Sequence, residues 1–315
     1  MTIFQKRLVF IVGKGGTGKT TLTAALSLAA SMLGKKVLIV EVGEADAIGH
    51  LFDKGTLPII PAQIHENIWG VRINSKAILE EYIHIHVGFN FIANRITRSK
   101  IFNHVSDATP GLKEVMTLGQ IWRWEQGLTN DGSPYYDIIF IDAPATGHGF
   151  NLLRMPQALI DMLRVGPIVE QTRIVNDLLM DTNKTWLTVV TLPEELPVNE
   201  TIEFWHAAQH DINMPVQLTF INGVYHHLFE DQENDYIVSM LNQSKKTDSP
   251  LAVLLDIARQ HYIRQNLQQS YIHELNAKAS HPLITIPFYY TNDIKVPDAL
   301  TIANYLLTQL EANNG

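Results

Sequence analysis

The sequence contains no cysteine, and this absence removes several kinds of chemistry at once. Disulfide bonds, thiolate metal sites and cysteine nucleophiles are all excluded. The chain also lacks an apolar run of the ~20 residues that a membrane-spanning helix needs, so we expect no stable membrane insertion. Because no linker rich in Pro, Gly or Ser, no repeat and no low-complexity tract divides residues 1–315, a single domain is expected.

Basic residues are also in the minority. The sequence has 24 Lys and Arg against 32 Asp and Glu, a formal net charge of −8. This balance argues against a surface built for nucleic acid or for anionic lipid, so no nucleic-acid partner is expected. No positively charged leader with an apolar core precedes the first strand-like run, and cysteine is absent, so a cytoplasmic location is expected.

Short apolar runs recur along the chain and are mostly separated by segments of helix length. The runs are Leu8–Val12, Val37–Val42, Ile68–Ile73, Asp137–Ile141, Trp186–Thr191, Val216–Asn222 and Leu283–Ile286. Near-continuous hydrophobic strands imply burial on both faces, which predicts an α/β fold with a doubly wound, mostly parallel sheet. Residues 75–130 are predicted to form a small helical insertion within it.

Residues 13–20 read Gly-Lys-Gly-Gly-Thr-Gly-Lys-Thr and match the phosphate-loop pattern G-x-x-x-x-G-K-[ST]. In this pattern backbone N–H groups cradle phosphate oxygens, Lys19 meets the β/γ charge, and the Thr20 hydroxyl faces Mg²⁺. The loop follows a strand and opens a helix predicted from Thr20 to about Met32. We therefore predict a nucleoside triphosphate site of the P-loop NTPase type, formed by Gly13, Lys14, Gly15, Gly16, Thr17, Gly18, Lys19, Thr20 and Thr21.

Asp142 follows the buried run Ile138–Ile141, at the carboxyl end of a strand. A phosphate loop needs a carboxylate at the end of another buried strand to organise the water shell of Mg²⁺. The small residues of the next segment, 143–147, suit a loop that passes close to a γ-phosphate. The predicted metal site therefore consists of Thr20 and Asp142, although a capping aspartate in a turn would have the same local sequence.

These motifs resemble the ATPase family that includes the arsenical pump-driving ATPase and the eukaryotic ATPase that targets tail-anchored membrane proteins. The phosphate loop carries the family's extra lysine, Lys14. Residues 142–148 resemble the family's second switch, D-T-A-P-T-G-H. Residues 110–114 resemble its P-G-x-x-E stretch, and residues 193–201 follow its P-E-x-L-x-x-x-E-T segment. The motif D-A-P-A-T-G-H-G, residues 142–149, resembles a bacterial branch of this family best.

The resemblance implies a Mg²⁺-dependent ATPase that works as a dimer, with an identical or a related partner subunit. It implies that Lys14 reaches the partner's nucleotide and takes part in catalysis together with Lys19. It also implies that Asn222 contacts the adenine edge and that the loop from Pro287 to Pro297 closes over the base. The apolar residues of the helical insertion are a candidate surface for a protein client, or they pack the insertion onto the core.

Two departures from the family pattern bear on function. The first switch of the family begins with an aspartate that positions the attacking water, and our alignment places Gly43 there. Because glycine cannot orient water, we expect slow hydrolysis, with Glu44 or Asp46 as substitutes and Glu41 behind the Mg²⁺ water shell. The alternative is that these three residues form only a solvated acidic loop. Without cysteines, the thiol sites for arsenite and for a zinc clamp are unavailable.

Three functions remain open at this point. The first is a dimeric ATP-hydrolysing switch that alternates between ATP and ADP. The second is a non-hydrolysing, nucleotide-dependent protein-binding module, which Gly43 favours. The third is a partition-type ATPase that acts on DNA or a membrane, which the acidic balance disfavours.

Overall fold

The computed structural model describes residues 3–43, 46–73, 78, 111–228, 231–244, 250–291 and 293–312. These residues form an eight-stranded sheet with helices on both faces. The strands are β1 Leu8–Val12, β2 Val37–Glu41, β3 Ala62–His65, β4 Ile68–Arg72, β5 Ile138–Asp142, β6 Thr185–Thr191, β7 Leu218–Val224 and β8 Leu283–Pro287.

The strand order is β3-β4-β2-β5-β1-β6-β7-β8. Each neighbouring pair is parallel except β3 and β4, which are antiparallel. This order confirms the prediction of a doubly wound, mostly parallel α/β sheet. It also places β1 between β5 and β6, near the middle of the sheet, so the loop after β1 emerges at a point where several carboxyl ends meet.

Strand β3 was missed by the sequence prediction. It reads Ala-Gln-Ile-His at the sheet edge, with Ile64 its buried residue, so it carries no apolar run. Several predicted strand boundaries also differ from the structure by one or two residues. Strand β5 begins at Ile138 and includes Asp142, which is the register partner of Glu41 in β2. Strand β7 continues past Asn222 to Val224, which pairs with Pro287 of β8 after a shift in register.

The helices that the structure describes cover both faces of the sheet. After a 3₁₀ turn at Ile3–Gln5 they are α1 Lys19–Met32, α2 Ala47–Leu51, α3 Leu112–Gln126, α4 Thr146–Leu163, α5 Pro167–Met180, α6 Glu195–His210, α7 Asp231–Ser244, α8 Pro250–Lys278 and α9 Val296–Ala312. Among the described residues, no helix is long and apolar enough to cross a bilayer.

The core consists of two layers because side chains alternate along each strand. Val9 and Ile11 of β1 face the layer under α1, α2 and α9. Phe10 of the same strand faces the opposite layer, which α3, α4, α5, α6 and α8 cover. Burial of one such side chain contributes roughly 1.5–3 kcal/mol. The central strands are therefore fixed along their length, and polar chemistry is confined to their ends.

Helix α3 lies within the range predicted as a helical insertion. Its residues Val115, Leu118 and Ile121 are buried, and Glu125 forms an ion pair of 3.3 Å with Arg7 beside β1. The apolar side of this helix therefore belongs to the core. The other apolar residues of the predicted client surface fall within residues 79–110 and lie outside the described residues.

Candidate nucleotide-binding site

The phosphate loop, residues 13–20, connects β1 to α1, and close contacts explain two of its glycines, Gly13 and Gly18. A Cβ at Gly13 would lie 2.2 Å from the carbonyl oxygen of Val190. Gly18 has φ 93°, and a Cβ there would lie 2.3 Å from Nδ2 of Asn222. Both contacts are too short for any side chain, so the sequence specifies a loop whose backbone approaches β6 and β7 closely.

Hydrogen bonds hold this loop in shape. The hydroxyl of Thr17 and the ammonium of Lys19 both donate to the carbonyl oxygen of Lys14, each at 2.9 Å. Asn222 donates from Nδ2 to the carbonyl oxygen of Thr17, also at 2.9 Å. The conformation is therefore set by the chain itself, which is the preorganisation that a phosphate cradle needs.

The electrostatics of this loop favour an anion. Helix α1 begins at Lys19 without a side-chain cap, so N–H groups of its first turn are available to a ligand. Burial lowers the pKa of the Lys19 ammonium, while Asp142 acts in the opposite direction. A partly desolvated cation at an uncapped helix start binds a phosphate group well, because the charge is poorly screened there.

Asp142 lies next to the phosphate loop at the end of β5. It accepts a hydrogen bond of 2.7 Å from the Thr20 hydroxyl at Oδ2. Burial raises the pKa of Asp142 to about 6, and the Thr20 hydrogen bond and the Lys19 charge oppose that rise. Its other oxygen, Oδ1, is buried and has no hydrogen-bond partner in the part of the chain that the structure describes. A hydroxyl beside a carboxylate with an unused oxygen fits the hard oxygen ligands that Mg²⁺ requires.

Glu41 ends β2 and is the register partner of Asp142 across the β2–β5 pair. The side chain is buried, and burial raises the pKa of its carboxyl group. Oε1 accepts a hydrogen bond of 3.0 Å from the backbone N–H of Ile48 in α2. Oε2 is buried without a partner among the described residues. Two buried carboxyl groups therefore lie side by side next to the phosphate loop.

Lys14 forms an ion pair within its own subunit. Its ammonium lies 2.5 Å from Oε1 of Glu200 on α6, in the segment that follows β6. The two side chains are 35% and 40% exposed, so solvent screens the pair and its contribution to stability is below about 1 kcal/mol. The contact shows that the 193–201 segment lies against the phosphate loop.

The loop between β2 and α2 has an open conformation at Gly43. This residue has φ 132°, and no atom lies within 4 Å of the position that a Cβ would occupy. Asp46 forms an ion pair of 3.3 Å with Arg72 and accepts a hydrogen bond of 3.1 Å from Thr56. Its carboxylate is thus engaged on the β4 side. Glu44, the other predicted substitute, lies outside the described residues.

Two comparisons of the sequence bear on this arrangement. The profile of the family described as "Anion-transporting ATPase" matches residues 6–167, which is just over half of the chain. The match includes the phosphate loop, Glu41 and Asp142. The chain belongs to this family. The α/β fold observed here is consistent with the P-loop NTPase fold of the anion-transporting ATPases.

Individual relatives carry ATPase names. The chain is 36% identical over 202 residues to ATPase BagA of Mycobacterium tuberculosis, covering 62% of this chain and 59% of BagA. It is 27% identical over 153 residues to ATPase ASNA1 homolog 2 of Paramecium tetraurelia, covering 48% and 44%. It is 20% identical over 278 residues to ATPase ARSA1 of Chlamydomonas reinhardtii, covering 70% and 35%. The chain thus spans about three fifths of BagA and less of the other two.

In this member of the anion-transporting ATPase family, the predicted binding residues fall into two groups. Residues 13–21, Asp142 and Asn222 lie together around the phosphate loop. Gly15 also lies close to the second-switch segment, because a Cβ on it would be 3.9 Å from Ala145. Pro287 ends β8, where it is the register partner of Val224.

Sequence reasoning missed an aromatic group at the carboxyl ends of β7 and β8. The rings of Tyr225 and Phe288 are 5.1 Å apart, and those of Phe288 and Tyr290 are 4.8 Å apart. Tyr290 is 74% exposed. Two of the three residues belong to the run Phe288-Tyr289-Tyr290, which directly follows β8. An aromatic run at the carboxyl end of a strand indicates a surface on which a base can stack, and the sequence therefore contained a signal for this group.

Proposed function

We propose that this anion-transporting ATPase is a Mg²⁺-dependent, ATP-hydrolysing dimeric switch. The contact that supports this most strongly is the 2.7 Å hydrogen bond from Thr20 to Asp142 beside an uncapped α1. It joins the hydroxyl of the phosphate loop to a buried carboxylate whose second oxygen has no hydrogen-bond partner among the described residues. Burial of an unsatisfied charge is destabilising, so an ordinary strand-to-helix turn does not account for a buried carboxylate at this position.

Each residue has a distinct role in the proposed mechanism. The backbone of residues 13–18 and the start of α1 bind the β- and γ-phosphates. The ammonium of Lys19 leaves the Lys14 carbonyl and neutralises charge on the transferred phosphoryl group. Thr20 and Asp142 hold Mg²⁺, which supplies neutralisation of the phosphate charge when bound. Asn222 and the aromatic group around Phe288 form the side of the pocket where adenine would lie.

Lys14 is the residue through which we expect the two subunits of the dimer to interact with each other's nucleotide. In the closed dimer, Lys14 leaves Glu200 and stabilises charge on the nucleotide of an identical or related partner subunit. ATP drives closure only through contacts that the open state lacks, since a ligand shifts an equilibrium by its differential affinity. Hydrolysis is slow in this proposal, because Gly43 has no side chain for water and Asp46 is held by Arg72 and Thr56.

A nucleotide-dependent protein-binding module that does not hydrolyse ATP is the second candidate, and Gly43 favours it. A protein client at residues 75–130 fits either candidate. The partition-type alternative is disfavoured by the net charge of −8.

The first experiment measures nucleotide binding by thermal shift with ATP, GTP and ADP, each with and without Mg²⁺. We expect ATP with Mg²⁺ to raise the Tm of the parent and of Lys36→Ala, an exposed lysine at the start of β2. Lys19→Ala should lose this rise. If no nucleotide changes the Tm of the parent protein, the binding proposal is wrong.

Phosphate release and molecular mass then separate the two candidates. The ATPase proposal predicts turnover above background that Lys14→Ala reduces, together with an ATP-dependent dimer. Turnover at background level in a protein that still binds ATP would support the non-hydrolysing module instead. Equal turnover and equal dimer fractions in the parent and Lys14→Ala would remove the cross-subunit lysine from the mechanism.

A further inference from the structure

The carboxyl ends of β2 and β5 bring together two acidic side chains from segments about one hundred residues apart in sequence. Glu41 and Asp142 are register partners on adjacent parallel strands, and they are 3% and 6% exposed. Each has one oxygen engaged and one oxygen buried without a partner among the described residues. A buried oxygen without a hydrogen-bond partner is destabilising, more so when it is charged, so packing alone does not explain why two such oxygens occur on neighbouring residues.

Oε1 of Glu41, the oxygen that accepts a hydrogen bond, stabilises the start of α2. Helix α2 begins after Asp46, which has φ 35° and makes no side-chain cap. Glu41 provides a cap from outside the helix, because its Oε1 accepts the N–H of Ile48 at 3.0 Å. One carboxyl group thus connects the end of β2 to the start of α2 and spans the loop that contains Gly43.

A capping task alone does not require a carboxylate. A neutral amide oxygen would also accept the Ile48 N–H, more weakly than a carboxylate, and would avoid the desolvation of a charge. The remaining oxygen, Oε2, is buried without a hydrogen-bond partner among the described residues, and Glu41 is the register neighbour of the carboxylate that is predicted to hold Mg²⁺. A group that donates protons, such as water bound to a divalent cation, would satisfy it.

We propose that Glu41 is a positioning residue of the metal site: its Oε2 accepts a hydrogen bond from water bound to Mg²⁺, while its Oε1 holds α2. This inference rests on the proposed function. It links the metal to the start of α2, so that binding of the metal with its nucleotide is communicated to this helix through one side chain. Outer-shell partners of this kind typically change metal affinity 10- to 100-fold.

The test uses Glu41→Gln in the full chain, because glutamine keeps an oxygen for Ile48 and loses the charge. Mn²⁺ serves as the probe, with free Mn²⁺ measured by electron paramagnetic resonance in the presence of ADP. We expect the variant to bind Mn²⁺ 10- to 100-fold more weakly than the parent, with ADP binding in EDTA unchanged. Glu66→Gln is the matched control, since Glu66 is an exposed carboxylate beyond the opposite end of β4.

The outcomes separate the inference from the proposed function. If the parent binds no Mn²⁺ with ADP, the proposed metal site itself is wrong. If the parent binds and Glu41→Gln binds equally tightly, the role of Glu41 is wrong while the metal site stands. A second measurement on the parent needs no variant: Mg²⁺ added to the ADP complex should slow hydrogen exchange at the Ile48 amide. An exchange rate that does not respond to Mg²⁺ would overturn the link to α2.

Discussion

Replacement of Asp142 by asparagine should stabilise the protein when nucleotide is withheld, by an amount that depends on pH. Burial raises the pKa of Asp142 from an ordinary 3.8 to about 6 in the folded protein. A shift of about two pH units corresponds to about 3 kcal/mol, at about 1.4 kcal/mol per unit. Because the folded state resists ionisation, the parent keeps this stability below about pH 4 and loses it as the pH rises through 6.

Asparagine cannot ionise and keeps an oxygen for the Thr20 hydroxyl, so Asp142→Asn should escape this loss. Its stability relative to the parent should therefore increase by about 3 kcal/mol between pH 4 and pH 7.5, which corresponds to about 5 °C in Tm for a chain of this size. Urea unfolding followed by tryptophan fluorescence at several pH values measures the difference. The comparison between two pH values removes the constant cost of the unpaired amide N–H₂ group.

The sign should reverse when ATP and Mg²⁺ are present. The parent then gains stability by ligand binding, whereas Asp142→Asn lacks the charge that holds the metal and gains less. A stability difference that stays the same from pH 4 to pH 7.5 would refute the reasoning about burial. A variant that ATP and Mg²⁺ stabilise as strongly as the parent would refute the assignment of Asp142 to the metal.

Further predictions concern other contacts of the site and the core. Gly18→Ala should lose nucleotide binding in a thermal-shift assay, because its Cβ would collide with Asn222 at 2.3 Å and φ 93° is unfavourable for alanine. Glu200→Gln releases Lys14 and should increase the dimer association constant with ATP, measured by mass photometry, by up to about fivefold, since a screened pair contributes under about 1 kcal/mol; an unchanged constant would contradict this. Burial lowers the pKa of His281 to about 4, so the parent should lose stability as the pH falls from about 6.5 towards 4, and His281→Gln should lose less in urea unfolding.

The placement of the phosphate loop and of Asp142 could be predicted from the sequence because the signals there are local. A phosphate loop must follow a buried strand and open a helix, and residues 13–20 satisfy both conditions within a short span. Asp142 follows from the same logic applied to β5. Both predictions needed only the rule that parallel strands place their carboxyl ends at one edge of a sheet.

The partners of Glu41 and Lys14 could not be predicted with the same rule. The pairing of Glu41 with Asp142 depends on β2 lying beside β5, and strand order is a property of the whole sheet. The contact between Lys14 and Glu200 joins residues 186 positions apart and depends on where α6 packs. The edge strand β3 was not predicted because it buries few side chains, and its sequence therefore shows no hydrophobic pattern.

The hydrogen bonds of the phosphate loop connect ligand binding at this loop to distant parts of the sheet. Thr20 ties the loop to β5, and Asn222 ties it to β7, so early, middle and late parts of the chain meet at one short turn. Tightening of that turn by an occupant is therefore transmitted to strands on both sides of β1. Protection from proteases in the presence of ATP should extend to the β5 and β7 termini, far along the chain from residues 13–20.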